Sequence, residues 1–260
     1  MTEMASHMGQ HVKELIKKGK RLDGRAFDQY RDIVVETNVA KSADGSARVK
    51  LGDTEVIVGI KMEIGTPYPD TPEQGAMMVG AELLPLSNPR YESGPPGIDS
   101  IELARVVDRG IRESHAIDVA KLCIEAGEKV WMVNIDIIPI NSDGNLFDAS
   151  ALGALAAIKT AVFPKLEDGK IVREKTTTPL PVVAEPMAVT INKIEGQMLV
   201  DLQEDEEDAI DARLTVTSLP DGSFCSLQKG GDSALTTAEI GQMLDLAFQK
   251  AKELRSKFGG

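Results

Sequence analysis

Apolar and polar positions along this chain follow two different periods, and the changes of period mark its elements. Residues 9–19 place apolar side chains at helical spacing and predict a short amphipathic helix, basic on its outer face. The runs at 33–38, 47–51 and 55–63 read as strands. Leu51-Gly52-Asp53-Thr54 is a tight connection between the last two, so a meander is expected. A Pro-, Thr- and acid-rich loop at 65–75 precedes a strand at 77–86, and a Pro/Gly-rich loop follows at 87–97.

The segment 100–114, SIELARVVDRGIRES, is helical in pattern. At ~100° per residue, Leu103, Val107 and Ile111 share one side, and Arg105, Arg109 and Arg112 share the other. A strong strand spans 129–140, and Asn141-Ser142-Asp143-Gly144-Asn145 is a turn with Asn145 placed to cap the next helix. Residues 147–162 are small and apolar on nearly every side, as expected of a helix buried between layers.

The polar, charged stretch 166–179 is expected to connect two halves. Paired strands at 182–194 and 197–202 turn about Glu195-Gly196, and an acidic run follows at 204–211. Strands at 213–219 and 223–228 flank Pro220-Asp221-Gly222, and a last helix spans about 236–257. Strands cluster in meanders instead of alternating strictly with helices, which favours an α+β fold over a doubly wound sheet.

Composition narrows the function. The 260 residues are 42% hydrophobic, enough for a substantial core, and carry a formal charge of −12. A chain this acidic does not attract nucleic acid through its whole-body field, so any such contact is local or shared with a basic partner. Aromatic residues make up 4%, too few for a platform of stacked bases. Cys123 and Cys225 sit in apolar strand-like contexts without metal-ligand spacing, as in a reduced cytoplasmic protein. No apolar run reaches membrane-spanning length and no signal peptide pattern is present. The opening MTEMASHM looks partly like a cloning remnant, so residues 1–8 are expected to be a tag or disordered.

Three places can carry chemistry. The turn Asp143-Gly144-Asn145-Leu146-Phe147 opens a helix at a strand end, a natural position for an anion. However, Leu146 and Phe147 take the outward positions, and Asp143 and Asp148 repel negative charge. A capped helix start with an apolar anchor is the simpler reading. The acidic run Glu204, Asp205, Glu206, Glu207, Asp208 and Asp211 offers carboxylates for acid/base work or metal binding, but adjacent acids point in all directions and no histidine is near. A solvated surface is expected there. The arginine face is a rigid row of forked donors suited to phosphate oxygens. Its alternative is a salt-bridged surface with Glu102 and Asp108 as partners.

Gly19-Lys20-Arg21-Leu22-Asp23-Gly24-Arg25, IELARVVDRGIR (101–112), DIIPINSDGNLFDASALGALAAI (136–158) and LTVTSLPDGSFCSLQKGG (214–231) occur in the order and spacing of the RNase PH family of phosphorolytic exoribonucleases, which the chain resembles over nearly its whole length after residue 9. It is most similar there to the larger, non-catalytic RNase PH-like subunits of the archaeal exosome ring. The resemblance implies an RNase PH-like fold of the ribosomal protein S5 domain 2-like type, in two β-sheet/helix halves at 9–165 and 180–260.

Active family members carry Arg followed by Ser or a similar residue at the turn into the buried helix, and these hold the attacking phosphate. Leu146 and Phe147 stand there instead, a degenerate phosphate site. Active members also place a catalytic Asp near 213–216. Ala212 or Arg213 occupies that register here, and Asp211 matches only across a gap.

The resemblance therefore implies a subunit with no catalytic residue, metal or cofactor of its own, inorganic phosphate being used in a partner's site. Arg105, Arg109 and Arg112 match positions that face RNA. The partners implied are a catalytic RNase PH-like subunit in a hetero-hexamer (a trimer of heterodimers), RNA-binding cap subunits and single-stranded RNA, with no membrane. The competing expectations are a phosphate-dependent 3′–5′ exoribonuclease active alone and a scaffold without RNA contact.

Overall fold

The computed structural model describes the backbone of residues 2–167 and 169–258, with side chains except those of residues 2–6 and 173–175. The first sheet contains β1 (Ile33–Thr37), β2 (Gly45–Leu51), β3 (Thr54–Gly65), β4 (Ala76–Ala81), β5 (Cys123–Glu125) and β6 (Lys129–Asn141). Its order is β1-β2-β3-β6-β4, with β5 also on β6; only the β4–β6 pair is parallel. The second sheet is antiparallel, in the order β10 (Gln197–Val200), β9 (Met187–Ile194), β11 (Ala212–Ser218), β12 (Phe224–Gly230).

Helix α3 (Leu146–Thr160) runs between the sheets and packs on β2, β3 and β9. Its sequence is alanine-rich because the helix must approach closely: Ala149, Ala154 and Ala157 are buried. A Cβ at Gly153 would come within 2.8 Å of the Val58 side chain, and one at Gly45 within 2.6 Å of the Ala157 carbonyl. Helix α2 (Ile98–Glu113) covers β4 and meets β12, and α5 (Thr237–Phe258) covers β9 and β11. One core cluster draws residues from both sheets. A satellite cluster lies under α1 (Thr2–Lys17), around Val12, Ile16, Ile194 and Leu199.

The α+β architecture agrees with the expectation, and several boundaries do not. Helix α1 begins at Thr2, ahead of the expected start at residue 9. The strand expected at 77–86 ends at Ala81, since Pro85 cannot donate and Ser87 N–H turns back to the Leu84 carbonyl. The strand expected from 182 starts at Met187, after Pro186, and Val182 makes only an isolated bridge to Ile117. The stretch 166–179, expected as a plain connection, forms most of a hairpin, β7 (Val162–Glu167) with β8 (Lys170–Pro179), turning through Gly169 at φ +74°.

The segment after α1 is bound to the second sheet by ion pairs out of water. The Arg21 guanidinium donates to Glu206 through Nε (3.0 Å) and Nη2 (2.5 Å), and to the Val200 and Asp201 carbonyls. Arg25 and Arg31 both reach the buried Asp201 carboxylate. Glu206 sits in α4 (Glu204–Glu207), where it closes a capping box with Gln203. The Gly19–Arg25 motif is thus a clamp on the end of β10 and on α4, and Arg31 ties the turn before α3 to the same Asp201.

Candidate functional site

The apolar side of α2 is buried as expected, through Leu103, Val107 and Ile111. On the other side Arg105 and Arg109 are exposed, and neither forms an ion pair or hydrogen bond to any described residue. They are one helical turn apart, about 6 Å along the axis. Arg112 differs: Nε and Nη2 grip Asp108 at 3.0 and 2.6 Å, and Nη2 also donates to the Met77 carbonyl. Hydrogen bonding to Asp108 raises its pKa further. Glu102, the other partner expected for the row, instead pairs with Arg213 on β11. The face therefore offers two open guanidiniums and one tethered.

At the opposite end of the same region, the 141–145 turn is pinned from below. Thr54 Oγ1 donates to the Gly144 carbonyl at 2.7 Å, and Arg31 Nη1 holds the Asp143 carbonyl at 2.7 Å and its carboxylate at 2.9 Å. Asn145 stands at the N-cap in the left-handed region (φ 54°), but its side chain makes no cap hydrogen bond. Its Nδ2 donates instead to Asp201 (3.0 Å) and Asp148 (3.3 Å), and its N–H to Glu207 Oε1 (2.8 Å). The left-handed backbone turns the amide toward this carboxylate cluster, which a reading by residue type does not anticipate.

Leu146 and Phe147 are half-buried. They face a cavity of about 290 Å³ between α2, α3 and the second sheet, where sequence reasoning expected them to point outward. The Arg213 guanidinium lies 4.4 Å from the Phe147 ring centroid. Both guanidiniums of the cavity are already engaged, Arg213 by Glu102 and Arg90 by Glu204 and Asp208. An entering orthophosphate meets apolar side chains and carboxylates there, and no free cation.

In the acidic run Asp205 is solvated, as expected, but Glu206 is withdrawn completely to meet Arg21, Glu207 accepts the Asn145 N–H at the cavity, and Asp208 pairs with Arg90. Asp211 lies outside the cavity, held by Lys13 Nζ at 2.7 Å and by the Glu195 N–H at 2.7 Å. These partners keep its carboxyl below the usual range against the opposing effect of burial. Among the described residues no group of His, Cys, Asp and Glu is arranged to hold a metal, and no helix is long and apolar enough to cross a membrane. Cys123 and Cys225 are free and half-buried.

Two acids at the site are strongly perturbed by burial: Glu207, pushed up to about 7, and Asp148, in the first turn of α3. Burial pushes the Asp148 carboxyl up to about 6, although Tyr30 donates to Oδ2 at 2.5 Å; Oδ1 has no partner. The folded chain thus binds this proton more tightly than the unfolded chain, and the contribution to stability falls as pH rises from about 4 to about 6. Relative to wild type, Asp148→Asn is expected to gain roughly 2 kcal/mol between pH 4 and pH 7, then stay level. Denaturant unfolding of both proteins across that range measures it; parallel curves would mean Asp148 ionises normally.

Comparison with known proteins bears on this geometry. Residues 29–164 match the 3′ exoribonuclease family, domain 1, and residues 184–250 match domain 2 of the same family, RNase PH. The chain is 48% identical over 250 residues to exosome complex component Rrp42 of Methanocella arvoryzae, covering 96% of this chain and 95% of that one. It is 46% identical over 261 residues to the Rrp42 component of Thermococcus onnurineus, covering 99% and 96%. Among solved structures, a chain of the Archaeoglobus fulgidus exosome with RNA bound to the active site superposes with a TM-score of 0.92 at 44% identity, covering 98% of this chain and 99% of that one. A chain of an archaeal exosome core gives a TM-score of 0.89 at 42% identity, with both chains fully covered.

Proposed function

The chain belongs to the RNase PH family of 3′ exoribonucleases, and from that premise we propose that it is a structural, RNA-positioning subunit of an archaeal exosome ring without phosphorolytic activity of its own. One contrast carries the reading. Arg105 and Arg109 are open to a polyanionic strand, whereas the entrance of α3 offers Leu146 and Phe147 where phosphate must be held.

Phosphorolysis needs inorganic phosphate in line with the 3′-terminal linkage and its charge neutralised in the transition state. Here the cavity's two guanidiniums are already neutralised by carboxylates. The remaining candidate acid, Asp211, is spent on anchoring α1 through Lys13. In this reading a catalytic homologue supplies the residues that hold inorganic phosphate and the catalytic acid. Three heterodimers close the ring, cap subunits deliver RNA, and this chain contributes arginines that grip backbone without reading bases.

Purified chain mixed with oligo(A) and inorganic phosphate is expected to release no nucleoside diphosphates, and addition of the catalytic homologue to start their release. Diphosphate formation by the chain alone, at a rate proportional to its concentration, would falsify the assignment.

A further inference from the structure

The cavity at the entrance of α3 contains a group that the reading above does not use. Asn192 on β9 is 4% exposed, lines the cavity, and its side-chain amide makes no hydrogen bond to any described residue. Its amide oxygen and nitrogen are not among the buried polar atoms left without a partner, so they open into the cavity, where one acceptor and one donor are available to a ligand. Thr190, two residues back on the same strand face, also lines the cavity, and Arg213 is directly opposite Asn192 in the β9–β11 register. The β-ladder therefore fixes amide and guanidinium side by side.

The carboxylates Asp99, Glu102, Glu207 and Asp208 line the same space, and both of its arginines are in ion pairs. That charge distribution disfavours any phosphate. It favours a neutral, planar heterocycle with a donor and an acceptor on one edge. A side-chain amide presents one acceptor and one donor at the spacing of adenine's N6 and N7. A guanidinium already stacked on an aromatic ring provides a further flat surface for a base. A volume of about 290 Å³ is at the small end for ligand sites, suited to one nucleoside and not to an oligonucleotide.

We propose that this cavity binds a single unpaired adenine base, with Asn192 pairing to its edge and Arg213, backed by Phe147, stacking on its face. The degenerate phosphate site is thereby a nucleobase site. It could hold a base flipped out of a passing RNA strand or a free nucleoside.

The test titrates the full chain with adenosine, using uridine, ribose and orthophosphate as comparators, by calorimetry and saturation-transfer NMR. Adenosine is expected to bind more tightly than uridine, while ribose and orthophosphate do not bind. Asn192→Leu and Phe147→Ala are each expected to weaken adenosine at least tenfold with melting behaviour retained. If Asn192→Leu does not fold, Asn192→Ser carries the same expectation. Equal binding of ribose, competition by orthophosphate, no adenosine binding, or unchanged affinity in the Asn192 variant overturns the proposal. Arg105→Glu/Arg109→Glu leaves adenosine binding unchanged, so the base site and the RNA-positioning role fail or stand separately.

Discussion

Arg21→Ala is expected to destabilise the chain by about 3–5 kcal/mol, the effect of stranding one partner of a buried ion pair. Both side chains are fully withdrawn from solvent, so Glu206 would be left charged without its counterion. Two carbonyls, Val200 and Asp201, also lose their donor. Against a typical total of about 5–15 kcal/mol the loss is severe. At ~2–4 °C per kcal/mol it is a drop of about 10 °C in Tm. Arg21→Lys is expected to recover little, because an ammonium cannot reproduce the forked contact with Glu206 and reach both carbonyls. Equilibrium denaturation of the three proteins decides it; a change below 1 kcal/mol for the alanine variant would mean the pair is replaceable.

The largest functional effect is expected from Arg105→Glu/Arg109→Glu in the assembled ring. Each hydrogen bond to a charged group contributes about 1.5–3 kcal/mol, and reversing the sign adds repulsion, so RNA affinity should fall at least 100-fold at moderate salt. Removing two phosphate contacts should also flatten the slope of log K against log salt by about 1.4 for single-stranded RNA. The native mass of the complex should not change, since neither side chain has a partner among the described residues. Arg112→Ala is expected to change affinity less than threefold, because Asp108 already occupies that guanidinium. A ring of full mass that binds RNA as tightly as wild type would remove the RNA-positioning role and leave a scaffold.

Local period made much of this legible. The 3.6-residue repeat in 100–114 separates apolar and basic sides of α2 as they stand in the fold, and the all-round apolar character of 147–162 marks α3 as an inner helix. What stayed hidden depends on partners distant in the chain. Nothing around Glu206 distinguishes it from its acidic neighbours until Arg21, 185 positions away, is folded onto it. Asp211 likewise looks like a candidate acid until Lys13 takes it. Arg112 belongs to the right face by geometry, yet Asp108 at the i−4 position decides its fate. Asn192 carried no signal at all, because an asparagine in an apolar strand becomes informative only when its lack of a partner can be seen.

The clamp around Arg21 has a temporal side. During synthesis Arg21 leaves the ribosome 185 residues before Glu206, an interval of roughly 10–40 s at ordinary elongation rates. Throughout that wait Arg21 lacks Glu206, and the inner helix lacks the second layer that covers it. Two regions that match separate family models must therefore consolidate together, near the end of translation, and a ribosome that stalls before residue 206 leaves a chain exposed to proteases and aggregation.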